Sequence, residues 1–171
     1  MSVTVIGNDR PGIVASITKA LFEEGCNLED ATSTILRGHF AMMLVVRVPQ
    51  DLGAPALEGK LDDVGQGLGL VVTVRPVEEA AVEVPSPTHM VAVYGADRPG
   101  IVYRVTELLA ARGANVTDLT SRVIGSEDEP VYALMLEVEL SDPRGAEQDL
   151  SRLQDELGID ISVHAIETDV L

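Results

Sequence analysis

Ten residues near the start of the chain, Val5-Ile6-Gly7-Asn8-Asp9-Arg10-Pro11-Gly12-Ile13-Val14, return 88 residues later as Val93-Tyr94-Gly95-Ala96-Asp97-Arg98-Pro99-Gly100-Ile101-Val102. The hexapeptide Asp-Arg-Pro-Gly-Ile-Val is identical in both places. The same offset pairs Thr18 with Thr106, Leu21 with Leu109, Gly25 with Gly113, Asn27 with Asn115, Asp30 with Asp118 and Ser33 with Ser121. Further on the offset becomes 92, pairing Phe40-Ala41-Met42 with Tyr132-Ala133-Leu134, so the second copy carries four extra residues in its middle loop. Near the ends it is 89, pairing Leu68-Gly69 with Leu157-Gly158. Self-similarity over half the chain means that one fold has been duplicated. Each copy, at about 85 residues, is long enough for a small domain with its own core. The copies are read as 1–77 and 88–171. The acidic, Pro-punctuated stretch 78–87 between them reads as a linker.

Within each copy the hydrophobic period changes in a fixed order. Val3 to Gly7 is a short β-branched run, a strand. From Pro11 to Glu24 the apolar residues Ile13, Ile17, Ala20 and Leu21 recur at helical spacing, with Pro11 suited to the first helical position and Asp9 placed where a cap is expected. Gly25 ends that helix. Asn27 to Leu36 is a Thr- and Ser-rich strand, Arg37-Gly38-His39 a tight hairpin, and Phe40 to Pro49 a buried strand, apolar at nearly every residue. Ala54 to Leu68 is helical, and Leu70 to Val77 is the last strand. The second copy repeats this: a strand to Gly95, a helix Pro99–Arg112, strands around Val116–Ile124 and Val131–Leu140, a helix Pro143–Glu156 and a strand Ile159–Glu167. The order βαββαβ, twice, predicts an α+β chain of two ferredoxin-like units, each an antiparallel sheet with both helices on one face. One sheet face and the Asn27–Leu36 edge then stay uncovered. The two copies are expected to pack edge to edge or helix to helix, edge pairing giving one eight-stranded sheet.

Charge narrows the functions open to such a fold. Twelve basic residues face 28 acidic ones, a net charge of −16. Residues 1–85 hold 6 basic and 12 acidic residues and residues 86–171 hold 6 and 16, so neither copy hides a basic patch. Phosphate backbones and anionic lipid are repelled. Aromatic residues are 3% of the chain, too few for a base-stacking platform. A single cysteine, Cys26, excludes an internal disulfide and reads as a small buried hydrophobe. No apolar run approaches membrane-spanning length, and Met1 to Gly7 lacks a basic, apolar leader, so the expected location is cytoplasmic. His39, His89 and His164 are scattered, and no close metal-ligand spacing is present, so neither a metal nor a cofactor is expected. The Ser126-Glu127-Asp128-Glu129 hairpin tip reads as solvated.

A strand, then Asp-Arg-Pro-Gly-Ile-Val opening a helix, then Gly-x-Asn-x-x-Asp entering the second strand, resembles the ACT domain, a small amino-acid-sensing module. The resemblance covers about 160 of the 171 residues. The tandem layout is similar to that of the subfamily containing glycine cleavage system repressors. The resemblance implies that an amino acid binds at the interface of two paired domains, against the turn between the first strand and first helix. On this chain that implicates Asn8, Asp9, Arg10, Pro11, Gly12, Ile13 and Asn27 in copy one, and Ala96, Asp97, Arg98, Pro99, Gly100, Ile101 and Asn115 in copy two.

The residues themselves offer suitable chemistry. A helix N-terminus presents free N–H groups to a carboxylate. A glycine there lets a ligand approach the backbone, Asp9 and Asp97 can accept from an ammonium group, and Asn27 and Asn115 can bond either end of an α-amino acid. A purely local reading stands beside this one: Asp9 as helix cap, Gly12 for close packing, Asn27 with Gly25 as a helix-ending turn. Arg10 and Arg98 read as surface residues. The sites need not be equal, since Asn8, Ala15 and Ser16 become Ala96, Tyr103 and Arg104. Glycines 59, 65 and 67 make the second helix of copy one the least stable element.

Together these features predict a non-catalytic regulatory protein that senses a free amino acid and acts through a protein partner, with homodimer formation open. A ligand-free interaction module and a small ferredoxin-like enzyme are the alternatives; no nucleophile is paired with a base. Direct contact with nucleic acid or membrane is not expected. The purified chain at physiological salt is predicted to bind duplex DNA no tighter than ~10 µM, because its charge has the wrong sign for counterion release. A gel shift showing tight, salt-sensitive binding would contradict this.

Overall fold

The structure is a computed structural model that describes residues 1–77, 86–126 and 130–166. Apart from Ser86 and Pro87 the expected linker lies outside the described residues, as do Glu127-Asp128-Glu129 and Glu167. The chain divides into two compact units, residues 1–81 and 82–171. Each is described by itself.

Unit one runs β1 (Ser2–Asn8), α1 (Ile13–Glu23), β2 (Asn27–Leu36), β3 (His39–Arg47), α2 (Ala54–Leu68) and β4 (Leu70–Arg75); unit two runs β5 (His89–Gly95), α3 (Ile101–Ala111), β6 (Asn115–Gly125), β7 (Pro130–Glu139), α4 (Pro143–Leu157) and β8 (Asp160–Ala165). The βαββαβ order holds twice. Sheet orders are β2-β3-β1-β4 and β6-β7-β5-β8, with the described strands antiparallel to their neighbours. The described ladders form one four-stranded sheet in each unit. Both first hairpin strands carry an irregularity at the same point of the repeat, between Leu28 and Asp30 and between Val116 and Asp118. The duplication therefore preserves a β-bulge as well as the elements.

Each sheet buries one face under its two helices. In unit one Val3, Val5, Ile17, Leu44, Leu57 and Leu61 are almost wholly buried; in unit two Val93, Val105, Leu109, Leu134, Leu136 and Leu150 do the same. Burial of this aliphatic surface is the main stabilising term in a chain with so few aromatics. β3 is apolar at nearly every residue, yet its burial alternates strictly, Phe40, Met42, Leu44 and Val46 inward, while Met43 on the other face is 53% exposed. That second face is the one the two helices leave uncovered.

β2, exposed along its whole length, forms one edge of the first sheet, as expected. At the opposite edge Glu58 Oε2 on α2 accepts from Val74 N at 2.6 Å, so a helix side chain reaches the β4 backbone. Unit two has a parallel arrangement, with Gln154 Oε1 accepting from Ile161 N at 2.8 Å.

Three glycines do occupy α2, but they are not equivalent. A Cβ on Gly59 or Gly67 would meet nothing within 4 Å, whereas one on Gly65 would lie 3.1 Å from Val72 Cγ2 and 3.2 Å from Leu70 O. Gly65 lets α2 lie close on β4; Gly59 only weakens the helix. Gly59→Ala is predicted to stabilise unit one by about 1 kcal/mol, a rise of a few degrees in a thermal melt. Gly65→Ala is predicted to give no such gain.

Candidate functional site

The β1–α1 loop and its repeat in unit two are the places where the sequence-derived candidates concentrate. Asn8 to Gly12 and Ala96 to Gly100 are exposed, while Ile13 and Ile101, which open the helices, are buried and anchor them. The helices begin later than expected. Pro11 and Pro99 lie in the turn, and the N-cap residues are Gly12 (φ 95°, ψ −7°) and Gly100 (φ 96°, ψ −6°). Neither helix has a side-chain cap bond, so Asp9 is not the cap that its position suggested. A proline at the first helical position was a reasonable expectation; the left-handed glycine between proline and helix overrides it.

That backbone also decides what Gly12 and Gly100 are for. A Cβ at either would meet nothing within 4 Å, so close packing is not the reason for glycine. The positive φ is, because an L-side chain there is strained. The first intrahelical bonds run from Ser16 N to Gly12 O and from Arg104 N to Gly100 O, both 2.9 Å. The amides of residues 13–15 and 101–103 precede these ladders and carry the positive end of the helix dipole. Asp9 N is tied to Gly38 O at 2.8 Å, which fixes the loop to the β2–β3 hairpin.

Arg10 and Arg98 are more specifically engaged than a surface reading suggested. Arg10 Nη2 donates to Gly67 O at 2.8 Å, and Arg98 Nη1 to Leu157 O at 3.2 Å. Both acceptors lie at the C-terminal end of the unit's second helix, where carbonyls lack intrahelical partners and a cation is favoured. Among the described residues neither arginine forms an ion pair. Sequence inspection misses this contact because 57 residues separate donor from acceptor in unit one and 59 in unit two.

The asparagines are elsewhere. Asn8 pairs with His39 on β3, and so does Leu36, whereas Asn27 pairs with Arg47 at the other end of that strand. Eight residues of strand amount to about 26 Å. In unit two Gly95 pairs with Tyr132 and Asn115 with Glu139, again near opposite ends of β7. Within one unit, loop and asparagine are too far apart to touch the same small amino acid. Asn8, Asp9, Arg10, Pro11, Gly12 and Ile13 form one group, as do Ala96, Asp97, Arg98, Pro99, Gly100 and Ile101; Asn27 and Asn115 join neither. The gap follows from topology, because a helix running back along the sheet delivers the next strand to the far end.

Two features were not anticipated. A groove of about 310 Å³ lies on the open sheet face of unit one, lined by Thr4, Ile6, Thr34, Ala41 and Met43 among others. The apolar residues at outward positions of β1 and β3 are its signal. A smaller cleft of about 120 Å³ lies between α1 and β2, with Val14, Thr18, Leu28 and Ser33 in its lining. In unit two Tyr103 hydrogen-bonds Glu107, whose carboxylate holds the phenol pKa above its ordinary value. Burial first, and the Glu24 carboxylate second, push up the Cys26 thiol, which is half-buried against the core; such a thiol is poorly ionised at neutral pH. Among the described residues no three His, Cys, Asp or Glu side chains are grouped to hold a metal ion, and no helix is long and apolar enough to cross a membrane.

The fold and this repeated turn are those of a pair of regulatory ACT domains. The ACT domain family model matches residues 1–75 and again 88–164, and the chain belongs to that family. It is 30% identical over 146 residues to the glycine cleavage system transcriptional repressor of Escherichia coli K12, covering 85% of this chain and 76% of the repressor. A UPF0237 protein of Methanopyrus kandleri is 45% identical over 74 residues, 43% of this chain and 82% of that protein. Among solved structures, an unknown protein from Galdieria sulphuraria superposes with a TM-score of 0.82 at 26% identity, covering 97% of both chains.

The positive φ makes a direct prediction. Gly12→Ala and Gly100→Ala are each expected to cost about 1 kcal/mol of stability without any ligand, read as a lower melting temperature. Gly12→Asn is expected to cost less, because asparagine tolerates the left-handed region. Unchanged melting in the alanine variants would contradict the backbone geometry.

Proposed function

We propose that the chain is a non-catalytic regulatory protein that binds a free α-amino acid at the β1–α1 loops of its ACT domains and signals through a protein partner. The observation that carries this reading is the exposed loop at a helix N-terminus, built on a left-handed glycine and repeated in both units. The amides of residues 13–15 offer donors for the ligand's carboxylate, and Asp9 or Asp97 an acceptor for its ammonium group. Asn27 and Asn115 enter the site only from a second ACT domain. A second ACT domain related by a two-fold axis perpendicular to the strands would run reversed and so would set its asparagine end beside the loop end. That is the physical reason to place the ligand at a domain interface, and a homodimer is one way to supply it.

The repressor relative supports a role in transcriptional control of amino-acid metabolism, carried out in the cytoplasm. With a charge of −16, any contact with DNA falls to a separate partner. A second reading, a ligand-free interaction module, draws on the open sheet face of unit one, where Ile6 is 52% and Val71 69% exposed. A thermal-shift screen against the twenty amino acids separates the two. At a ligand concentration 100 times the dissociation constant, binding stabilises by ~2.7 kcal/mol, a rise of several degrees. A rise with one or a few amino acids is the expected result; no rise with any of them at millimolar concentration would leave the interaction module as the better account.

A further inference from the structure

We propose that Arg10 and Arg98 are positioning residues that fasten the β1–α1 loop of each ACT domain to the end of its second helix, and that in unit one this fastening passes the state of the loop to the last turn of α2. The inference rests on the loop being the amino-acid site.

The contact occurs twice, at repeat-equivalent arginines, although the two receiving helix ends share little sequence: Val64-Gly65-Gln66-Gly67-Leu68 against Leu153-Gln154-Asp155-Glu156-Leu157. What the two ends share is an unpaired terminal carbonyl, so geometry rather than side-chain chemistry keeps the pairing. Arg10 directly precedes Pro11 and Gly12. A ligand drawn onto the helix N-terminus therefore bears on the residue that holds Gly67. In the other direction, the end of α2 leads into Gly69 and Leu70, and a Cβ on Gly7 of β1 would lie 2.9 Å from Gly69 O and 2.6 Å from Leu70 Cδ2. Loop, helix end and the β1–β4 pairing are one contiguous body of contacts.

The units differ in how firmly that helix end is held. α2 carries Gly65 and Gly67 in its last turn, each less favourable in a helix than alanine. α4 has no glycine after Gly145, and Arg104, standing where unit one has Ser16, makes a second tie to its last turn through Glu156 at 2.7 Å. Two arginines secure a firm end in unit two; one arginine holds a weak end in unit one. Unit one is therefore the responsive half.

Hydrogen–deuterium exchange on the full chain tests this. The probes are the twenty free amino acids at millimolar concentration, carrying forward whichever gives the largest melting shift. In the wild type the bound amino acid is expected to slow exchange at residues 8–16 and also at residues 64–69. Arg10→Met is expected to weaken binding at unit one about threefold and to abolish the slowing at 64–69 while retaining part of it at 8–16. Arg10→Lys, which keeps a cation at the helix end, is expected to restore part of both, and Arg98→Met to leave 64–69 as in the wild type. Gly67→Ala, a variant that should fold more firmly, is expected to slow basal exchange of the turn and to shrink its response to the amino acid. A wild-type response at 64–69 that survives Arg10→Met, with unchanged affinity, would overturn the proposal while leaving the amino-acid site intact. A wild type that responds to none of the twenty would overturn the site itself, and this inference with it.

Discussion

At φ values of 95° and 96°, Gly12 and Gly100 hold the backbone where an L-side chain is strained, and the arrangement of each unit's loop end follows from that turn. The turn sets where the helix begins. It leaves the amides of residues 13–15 and 101–103 ahead of the hydrogen-bond ladder, and it seats Ile13 and Ile101 in the core so that the loop stays outside. Without the glycine, the helix would be free to start earlier, with Pro11 in its first turn and the unpaired amides shifted away from residues 13–15.

The arginine before that turn gives it a connection. Arg10 and Arg98 reach the C-terminal carbonyls of helices that lie far ahead in sequence, so each unit's loop and second-helix end are two sides of one contact. Contacts of this kind are individually small when exposed. Their weight lies in what they join: in unit one a candidate ligand loop and a glycine-rich helix end, in unit two a loop and a helix end already secured by Arg104 and Glu156. Duplication has kept the architecture, including the bulges at Leu28/Asp30 and Val116/Asp118, while the side-chain ties and glycines at the two second-helix ends differ.

Much of the fold was legible because it is periodic. Ile13, Ile17, Ala20 and Leu21 announce a helix, and the 88-residue repeat reads the second unit from the first. What was not legible depended on three dimensions. The distance from Asn27 to the loop depends on the direction of the returning helix. The partner of Arg10 lies 57 residues away. Proline and aspartate before a helix suggested an early start and a side-chain cap; the left-handed glycine between them and the helix overruled both.

The central claim is that the β1–α1 turn is where an amino acid binds. The most direct measurement is an amide nitrogen–proton correlation spectrum of the full chain titrated with each free amino acid. The account predicts saturable shifts concentrated at residues 8–16 and 96–104, with Asn27 and Asn115 following if a second ACT domain completes the site. Shifts centred instead on the open sheet face, at Thr4, Ile6, Thr34 and Met43, or no shift with any amino acid, would contradict it.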